Sequence, residues 1–446
     1  MSAPFILLVN PWIYDFAAYD LWIRPLGLLS IASVLKKNGC GVHLIDCLDT
    51  HHPAMRTYAD AGELQQREFG QGRFFKQNIP KPACLAGIPR NYSRYGMYTE
   101  VFQNELECLE RPDAVLVGTM MTYWHPAVAD CIKLIKNIFP DVPVLAGGVY
   151  ASLCPDHAAA CTGADYIVPG PFENSAVETL EAILHKQLQH IAADTVLRPE
   201  CELLSSKKVL PLMTSRGCPL GCPYCASRLL SPSFQQREPL SVADEIEYWH
   251  VRYGTTDFAF YDDALLVHPE KHIVPLLESV IERGLPVRFH APNGLHVRII
   301  DERIACLMQR AGVKTLRLGL ESADESLQKA TGGKASRKEF TRAAESLQSA
   351  GYTEHEVGAY ILAGLPGQCA QSVRSSISFV KDHGVRPYIT EYSPIPGTDF
   401  WKKAVDCSPF PIEKEPLFHN NSLLPCRSAS FTVDDLEALK RESRKT

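Results

Sequence analysis

Between Arg216 and Cys225 the chain reads Arg-Gly-Cys-Pro-Leu-Gly-Cys-Pro-Tyr-Cys, placing Cys218, Cys222 and Cys225 at C-x3-C-x2-C spacing. Thiolates this close on one loop can converge on a single soft metal centre. An iron–sulfur cube takes four ligands, and this loop supplies three. The iron left open can hold a substrate or cofactor, which suits an enzyme better than an electron carrier. Structural zinc prefers four N/S ligands in two pairs. Here the nearest later histidine, His250, stands 25 residues beyond Cys225 without a partner at H-x3–5-H spacing, and no second C-x2-C pair exists.

A strand must deliver this loop, and the apolar run 209–214 lies directly ahead of it. Further runs end in polar or glycine-rich residues: 257–261 in Asp262-Asp263, 287–290 in Ala291-Pro292-Asn293-Gly294, 315–320 in Glu321-Ser322, and 357–362 in Ala363-Gly364-Leu365-Pro366-Gly367. A sixth, 388–391, precedes Tyr392-Ser393-Pro394. Helical patterns such as 273–283, 304–311 and 340–350 separate them. Six β/α units predict an open parallel (β/α)6 partial barrel over 208–400, with its active site at the rim of strand ends. A short extension, 401–446, follows.

The first 185 residues also alternate strand and helix. Apolar runs at 5–10, 42–46, 114–118, 144–146 and 166–168 flank helical periods at 25–38, 127–139 and 173–184. This predicts an α/β doubly wound, Rossmann-like parallel sheet, which binds ligands at the carboxyl ends of its strands. Those ends carry Gly118-Thr119-Met120-Met121-Thr122, Ala146-Gly147-Gly148-Val149-Tyr150-Ala151-Ser152 and Pro169-Gly170-Pro171-Phe172-Glu173. Glycine lets backbone approach a large flat ligand, and hydroxyls can bond its edge. Residues 49–112 read as a long irregular insertion, and 186–207 as a polar linker. Loops of that length inside a domain are usually functional or disordered.

Composition narrows the class. With 446 residues, 46% hydrophobic and 22% charged, the chain is that of a globular protein of two or three domains. A net charge of −6 gives no basic footprint for nucleic acid. No apolar run approaches a membrane span, and the five-residue apolar start lacks a basic region before it, so no secretory leader is expected. Fifteen cysteines without a leader point to reduced thiols in a cytoplasmic protein.

In order and spacing these motifs resemble the radical S-adenosylmethionine (SAM) superfamily with an N-terminal cobalamin-binding domain, over roughly residues 4 to 400. The resemblance implies that Cys218, Cys222 and Cys225 ligate a [4Fe–4S] cluster whose open iron binds SAM. It implies SAM contacts at Tyr224, Asp262, Asp263, Asn293, Glu321, Gly364 and Pro366: carboxylates for the ammonium, Tyr224 and the Gly364 turn for adenine. It implies cobalamin contacts at Asn10, Thr119, Met120, Thr122, Gly147, Gly148, Tyr150, Gly170 and Glu173. Asp49-Thr50-His51-His52-Pro53-Ala54 is similar to the D-x-H-x-x-G motif of histidine-ligated cobalamin proteins, but it follows the second strand and ends in alanine. No protein histidine on cobalt is therefore expected, and His51 and His52 read as surface-loop residues. His296 stands where many relatives carry arginine.

The chemistry implied is reductive cleavage of SAM to a 5′-deoxyadenosyl radical, followed by cobalamin-dependent methylation of an unactivated carbon. A small metabolite or lipid-like precursor would be the substrate, and a flavodoxin- or ferredoxin-type donor the electron source. Another radical reaction (cyclisation, rearrangement or sulfur insertion) with a non-methylating or degenerate cobalamin domain is the alternative. A non-catalytic iron–sulfur or corrinoid carrier would leave the SAM stations without purpose. A methylthiotransferase would need a second three-cysteine set, which the first domain lacks.

Overall fold

A computed structural model describes residues 3–57, 64, 66–190 and 196–445. The chain divides into two compact units, Met1–Lys207 and Lys208–Thr446. No helix among the described residues is long and apolar enough to cross a membrane.

The first unit holds a five-stranded parallel sheet in the order Gly41–Asp46, Phe5–Asn10, Ala114–Thr119, Val144–Gly148, Tyr166–Val168. Phe5–Asn10 is unbroken in its apolar pattern because both faces are covered. Ile6 and Leu8 join Leu28, Ala32, Leu35, Leu116, Leu145, Val177 and Leu180 in one core, while Leu7 and Val9 are equally sealed on the other face. Each such side chain contributes about 2 kcal/mol. The chain adds Gly41–Asp46 on one side of Phe5–Asn10, then crosses back and adds Ala114–Thr119 and the later strands on the other. The strand order therefore reverses at this strand, so its carboxyl end and that of Ala114–Thr119 flank a natural ligand crevice.

The span 49–112 is more regular than its sequence suggests. Lys76–Asn78 and Ser93–Tyr95 pair antiparallel, Ile13–Asp15 adds a third strand, and Thr99–Glu107 is helical. Local patterning missed this sheet because its strands are three residues long and find partners far away in sequence. His51 and His52 are half-buried rather than loose on a surface loop. His52 Nε2 lies 3.4 Å from Glu105, and both histidines line a cavity of about 210 Å³ with His43, Asp46 and Asp49.

In the second unit six parallel strands follow one another in chain order: Val209–Leu212, Asp257–Phe260, Arg288–Leu295, Val313–Glu321, Val357–Ala363 and Arg386–Glu391. The first and last share no pairing among the described residues, so the barrel stays open. Alternation sorts the two faces. Phe258, Phe260 and Phe289 pack together on one, with Phe260 and Phe289 stacked at 5.3 Å. The other carries a polar chain: His290 Nε2 meets Asp257 at 3.0 Å and Nδ1 meets Thr315 at 3.0 Å. Burial alone would raise the Asp257 carboxyl, but hydrogen bonds from His290, Arg288 and Thr256 outweigh it and hold the group well below the carboxylate range. The helices are capped by their own sequence, with a Ser336–Glu339 capping box and Asp324 at the start of Glu325–Ala330.

Candidate functional site

The cysteine loop leaves the barrel's first strand and is closed at its neck by a short antiparallel ribbon, Ser215–Arg216 with Gln235–Gln236. Gly217 makes the turn possible: its φ is +78°, and a Cβ there would fall 2.3 Å from Ser233 O. Cys225 N–H then bonds Cys222 O at 3.1 Å, and Ser227 N–H approaches Cys225 Sγ at 3.5 Å. All three thiols are half-buried. Cys218 and Cys222 each feel the charge of Cys225, so the three thiols gather at one place on the loop and leave a fourth position to another ligand. Burial raises the Cys218 and Cys222 thiols, while the Lys334 ammonium pulls the other way. A cationic neighbour of that kind favours the thiolates a cluster needs.

Around the loop the structure gathers Tyr224, Asp263, Glu321 and Lys334. Tyr224 feels both Glu321 and Cys222, and Asp263 is bonded to Ser227 and near Lys334. Asn293 reaches Asp262 O at 3.1 Å, one residue from Asp263. Glu321 is 7% exposed, has a left-handed φ of +66°, and follows a break in strand register between Gly319 and Glu321. A non-glycine residue held there stores strain, as functional sites often do. Lys334 Nζ stands 3.4 Å from Glu321 Oε1. It fits only because Gly319 lacks a side chain: a Cβ there would come 2.6 Å from Nζ. Gly332, two residues earlier, packs against the cysteine loop: a Cβ there would stand 3.3 Å from Cys222 Cα. Sequence inspection missed Lys334; its only local signal is the preceding Gly332-Gly333 turn.

Two residues expected at SAM already have protein partners. Asp262 is 2% exposed, and its carboxylate accepts from Thr214 N–H, Thr214 Oγ1 and Ser215 Oγ. It braces the base of the cysteine loop and also lines a pocket with Asp263, Asn293 and His296. Gly364 is buried, and the atom closest to its missing Cβ is Leu424 Cδ1 at 2.4 Å. That close approach is made by a side chain of the C-terminal extension. Its N–H and that of Leu365 are held by Gln368 Oε1, while Pro366 beside them is half-buried.

Arg317 was also missed. It lies 9% exposed with its guanidinium 4.3 Å over the Tyr388 ring, donating to Tyr388 OH and Leu316 O. No carboxylate pairs with it among the described residues, so a buried positive charge remains incompletely neutralised.

Two histidines buttress the site in neutral form. His272 accepts or donates at Thr214 Oγ1, 2.8 Å away, and His296 sits near Lys334 and Arg298. Burial pushes each down to about 4, helped at His296 by the two cations. Unfolded imidazoles titrate near 6.5, so between these values the unfolded chain binds more protons. Stability from both is fully present above about pH 6.5 and is lost as pH falls through 4, at up to about 3 kcal/mol each. His272→Gln is expected to flatten the fall of the urea midpoint across that window. A slope equal to the parent's would remove His272 from this role.

In the first unit the strand ends form a glycine-lined ledge. Met120 and Gly148 are open, with Met120 39% exposed, and Gly147 and Gly170 are half-buried. Beneath them Thr119 Oγ1 donates to Gly147 O at 2.8 Å and accepts from Ala151 N–H. Asn10, Thr119, Thr122 and Tyr150 are buried, so they shape the ledge and do not surface on it. Asn10 is engaged by Asp46, and Tyr150 by His157. Glu173 lies outside the residues whose side chains the structure describes. A Cβ at Gly170 would meet nothing within 4 Å, so the ledge is open on that side.

Comparison with known proteins follows the same division. Residues 212–380 match the radical SAM superfamily model and residues 104–180 the B12 binding domain model. The chain is 25% identical to an uncharacterized methyltransferase of Pyrococcus horikoshii over 66% of this chain and 70% of that one. It is 24% identical to the anaerobic magnesium-protoporphyrin IX monomethyl ester cyclase of Synechocystis over 52% of this chain and 53% of the cyclase. Its fold matches the solved radical SAM methyltransferase TsrM of Kitasatospora setae, with a TM-score of 0.66 and 17% identity over 91% of this chain and 76% of that one. Three thiols on a barrel rim, a gathered set of charged groups beside them and a glycine ledge on a separate parallel sheet thus have one common explanation: the chain carries a B12 binding domain followed in sequence by a radical SAM domain.

Proposed function

We propose that this enzyme transfers a methyl group to an unactivated carbon of a small molecule. The observation that carries this is the presence, in one chain, of both a three-thiol rim loop and an open glycine ledge on a B12-type sheet. When bound, the cluster supplies the electron that cleaves SAM, and cobalamin supplies a methyl group. The chain's own residues hold and orient. Cys218, Cys222 and Cys225 would anchor the cluster. Asp263 and Glu321 offer carboxylates to the SAM ammonium, Lys334 offers a cation to its carboxylate, and Tyr224 a ring face to adenine. Met120, Gly147, Gly148 and Gly170 would receive the corrin. The nearly buried Arg317 supports an acidic group on the substrate, since a desolvated guanidinium gains most from an anion. Radical SAM enzymes draw on external reductants; a flavodoxin- or ferredoxin-type donor and a cytoplasmic setting fit this chain.

Anaerobic reconstitution with iron, sulfide, SAM and hydroxocobalamin tests the proposal. S-adenosylhomocysteine formed alongside 5′-deoxyadenosine supports methyl transfer. 5′-Deoxyadenosine alone supports a second proposal, ring formation or another radical rearrangement, which the similarity to a named cyclase favours. Within the site, Glu321→Gln and Lys334→Met are each expected to weaken SAM binding roughly tenfold or more, because each leaves a desolvated partner unpaired at about 2 kcal/mol. Cluster absorbance should persist. Unchanged SAM affinity in both variants, measured by calorimetry on the cluster-loaded protein, would assign the pair to loop packing alone.

A further inference from the structure

Beyond its sixth strand the second unit runs back over its own rim. Phe400 N–H bonds Pro223 O in the cysteine loop at 2.9 Å, and a Cβ on Gly397 would come 3.2 Å from Leu229. The helix Trp401–Cys407 starts from that contact. The chain later returns through Leu424, whose left-handed backbone (φ +52°) drops its side chain onto Gly364. This stretch is therefore a strap, seated at one end on the cysteine loop and at the other on the fifth-strand turn.

One thiol, Cys407, lies between those seats, and a second, Cys426, lies two residues past Leu424. Cys407 ends the helix and is exposed, whereas Cys426 is 4% exposed. Ser408 Oγ donates to Pro425 O at 2.8 Å, which clamps together the residues next to the two thiols, and Cys426 lies close enough to feel Cys407. A second thiol pair, Cys47 with Cys131, makes the same kind of contact in the first unit, but both are wholly buried. Contact is common to both pairs; access is not.

We propose that Cys407 and Cys426 form a site of reversible oxidation by low-molecular-weight disulfides, independent of the reaction at the cluster. The exposed Cys407 thiolate attacks the small disulfide, forming a mixed disulfide and releasing one small thiolate. Cys426 then loses its proton and attacks Cys407 Sγ, closing the protein disulfide and expelling the second small thiolate. One small disulfide is reduced to two thiols, two protein thiols are oxidised to one bond, and the two protons end on the leaving thiols. The order follows from access. Burial, and then the neighbouring Cys407, hold the Cys426 thiol in its protonated form. Capping Cys407 as a mixed disulfide removes that neighbour's charge and eases the second step. The closed bond ties the helix end to the segment that seats Leu424 on Gly364, and so fixes the strap on the rim.

The test uses the cluster-loaded protein, kept anaerobic, with oxidised glutathione as the probe, followed by alkylation and peptide mapping. The expected product is a peptide linking Cys407 to Cys426, two hydrogens lighter than the separate peptides, with glutathione on Cys407 at least tenfold less abundant. Cys47 and Cys131 should stay unlinked. In Cys426→Ser the resolving thiol is gone, so glutathione should persist on Cys407. Equal glutathione adduct on Cys407 in parent and variant, with Cys426 of the parent alkylated, would overturn the site. Hydrogen exchange over 397–426 should slow on oxidation and recover with a dithiol reductant; exchange that does not change would overturn the strap's fixation.

Discussion

Replacing any one of Cys218, Cys222 and Cys225 with alanine is expected to abolish the cluster's visible absorbance and all formation of 5′-deoxyadenosine. The effect is all-or-none because the loop has no spare donor. Glu321 and Asp263 nearby are charge partners of Lys334, not substitutes for a soft thiolate. Gly217→Ala should approach the same loss without touching a ligand, since φ +78° and a Cβ 2.3 Å from Ser233 O leave the loop no room to hold its course. Cys306→Ala, an exposed thiol on the helix Glu302–Arg310, serves as the silent control. Absorbance and product analysis after anaerobic reconstitution decide the matter. A single triad variant with full activity would sink the ligand assignment.

Gly148→Val should cost at least a hundredfold in corrinoid retention while leaving cluster loading and SAM cleavage in place. A valine Cβ would stand 2.4 Å from Thr119 O at a φ of +107°. The obstruction is backbone, so relief requires moving the ends of both strands, and the left-handed conformation alone costs about 1–2 kcal/mol. Both loops of the ledge shift together because Thr119 Oγ1 bonds Gly147 O and Ala151 N–H. His51→Ala, at the cavity beyond the second strand, should leave corrinoid binding and the cobalt spectrum unchanged. Gel filtration with hydroxocobalamin, with circular dichroism to confirm folding, reads the result. Retention equal to the parent's would take the ledge out of the corrinoid assignment.

The reason for Gly148 shows where sequence reasoning stops. Glycine at that position was legible as a need for space, but the space is claimed by Thr119 across the sheet and only then by a ligand. The same holds at Gly364, where the close neighbour is Leu424. Asp262 and Asp263 are adjacent in sequence and equal in chemistry. The loop that follows Asp257–Phe260 sends one inward to Thr214 and Ser215 and the other out toward Ser227.

By itself the amino-acid sequence determined the thiol loop, the succession of parallel strands in each unit and the positions of their carboxyl ends. These are local properties: cysteine spacing, apolar runs and glycine turns lie within a few residues of one another, and short-range sterics and burial act on them directly. Tertiary structure alone decided which polar groups reach the rim. Lys334 comes to Glu321 because Gly319 and Gly294 leave room for it, Arg317 keeps its charge because no acid arrives from a neighbouring strand, and Cys407 meets Cys426 because a strap folds back. Contacts between distant segments depend on register and on what a facing residue lacks, and a linear pattern carries neither.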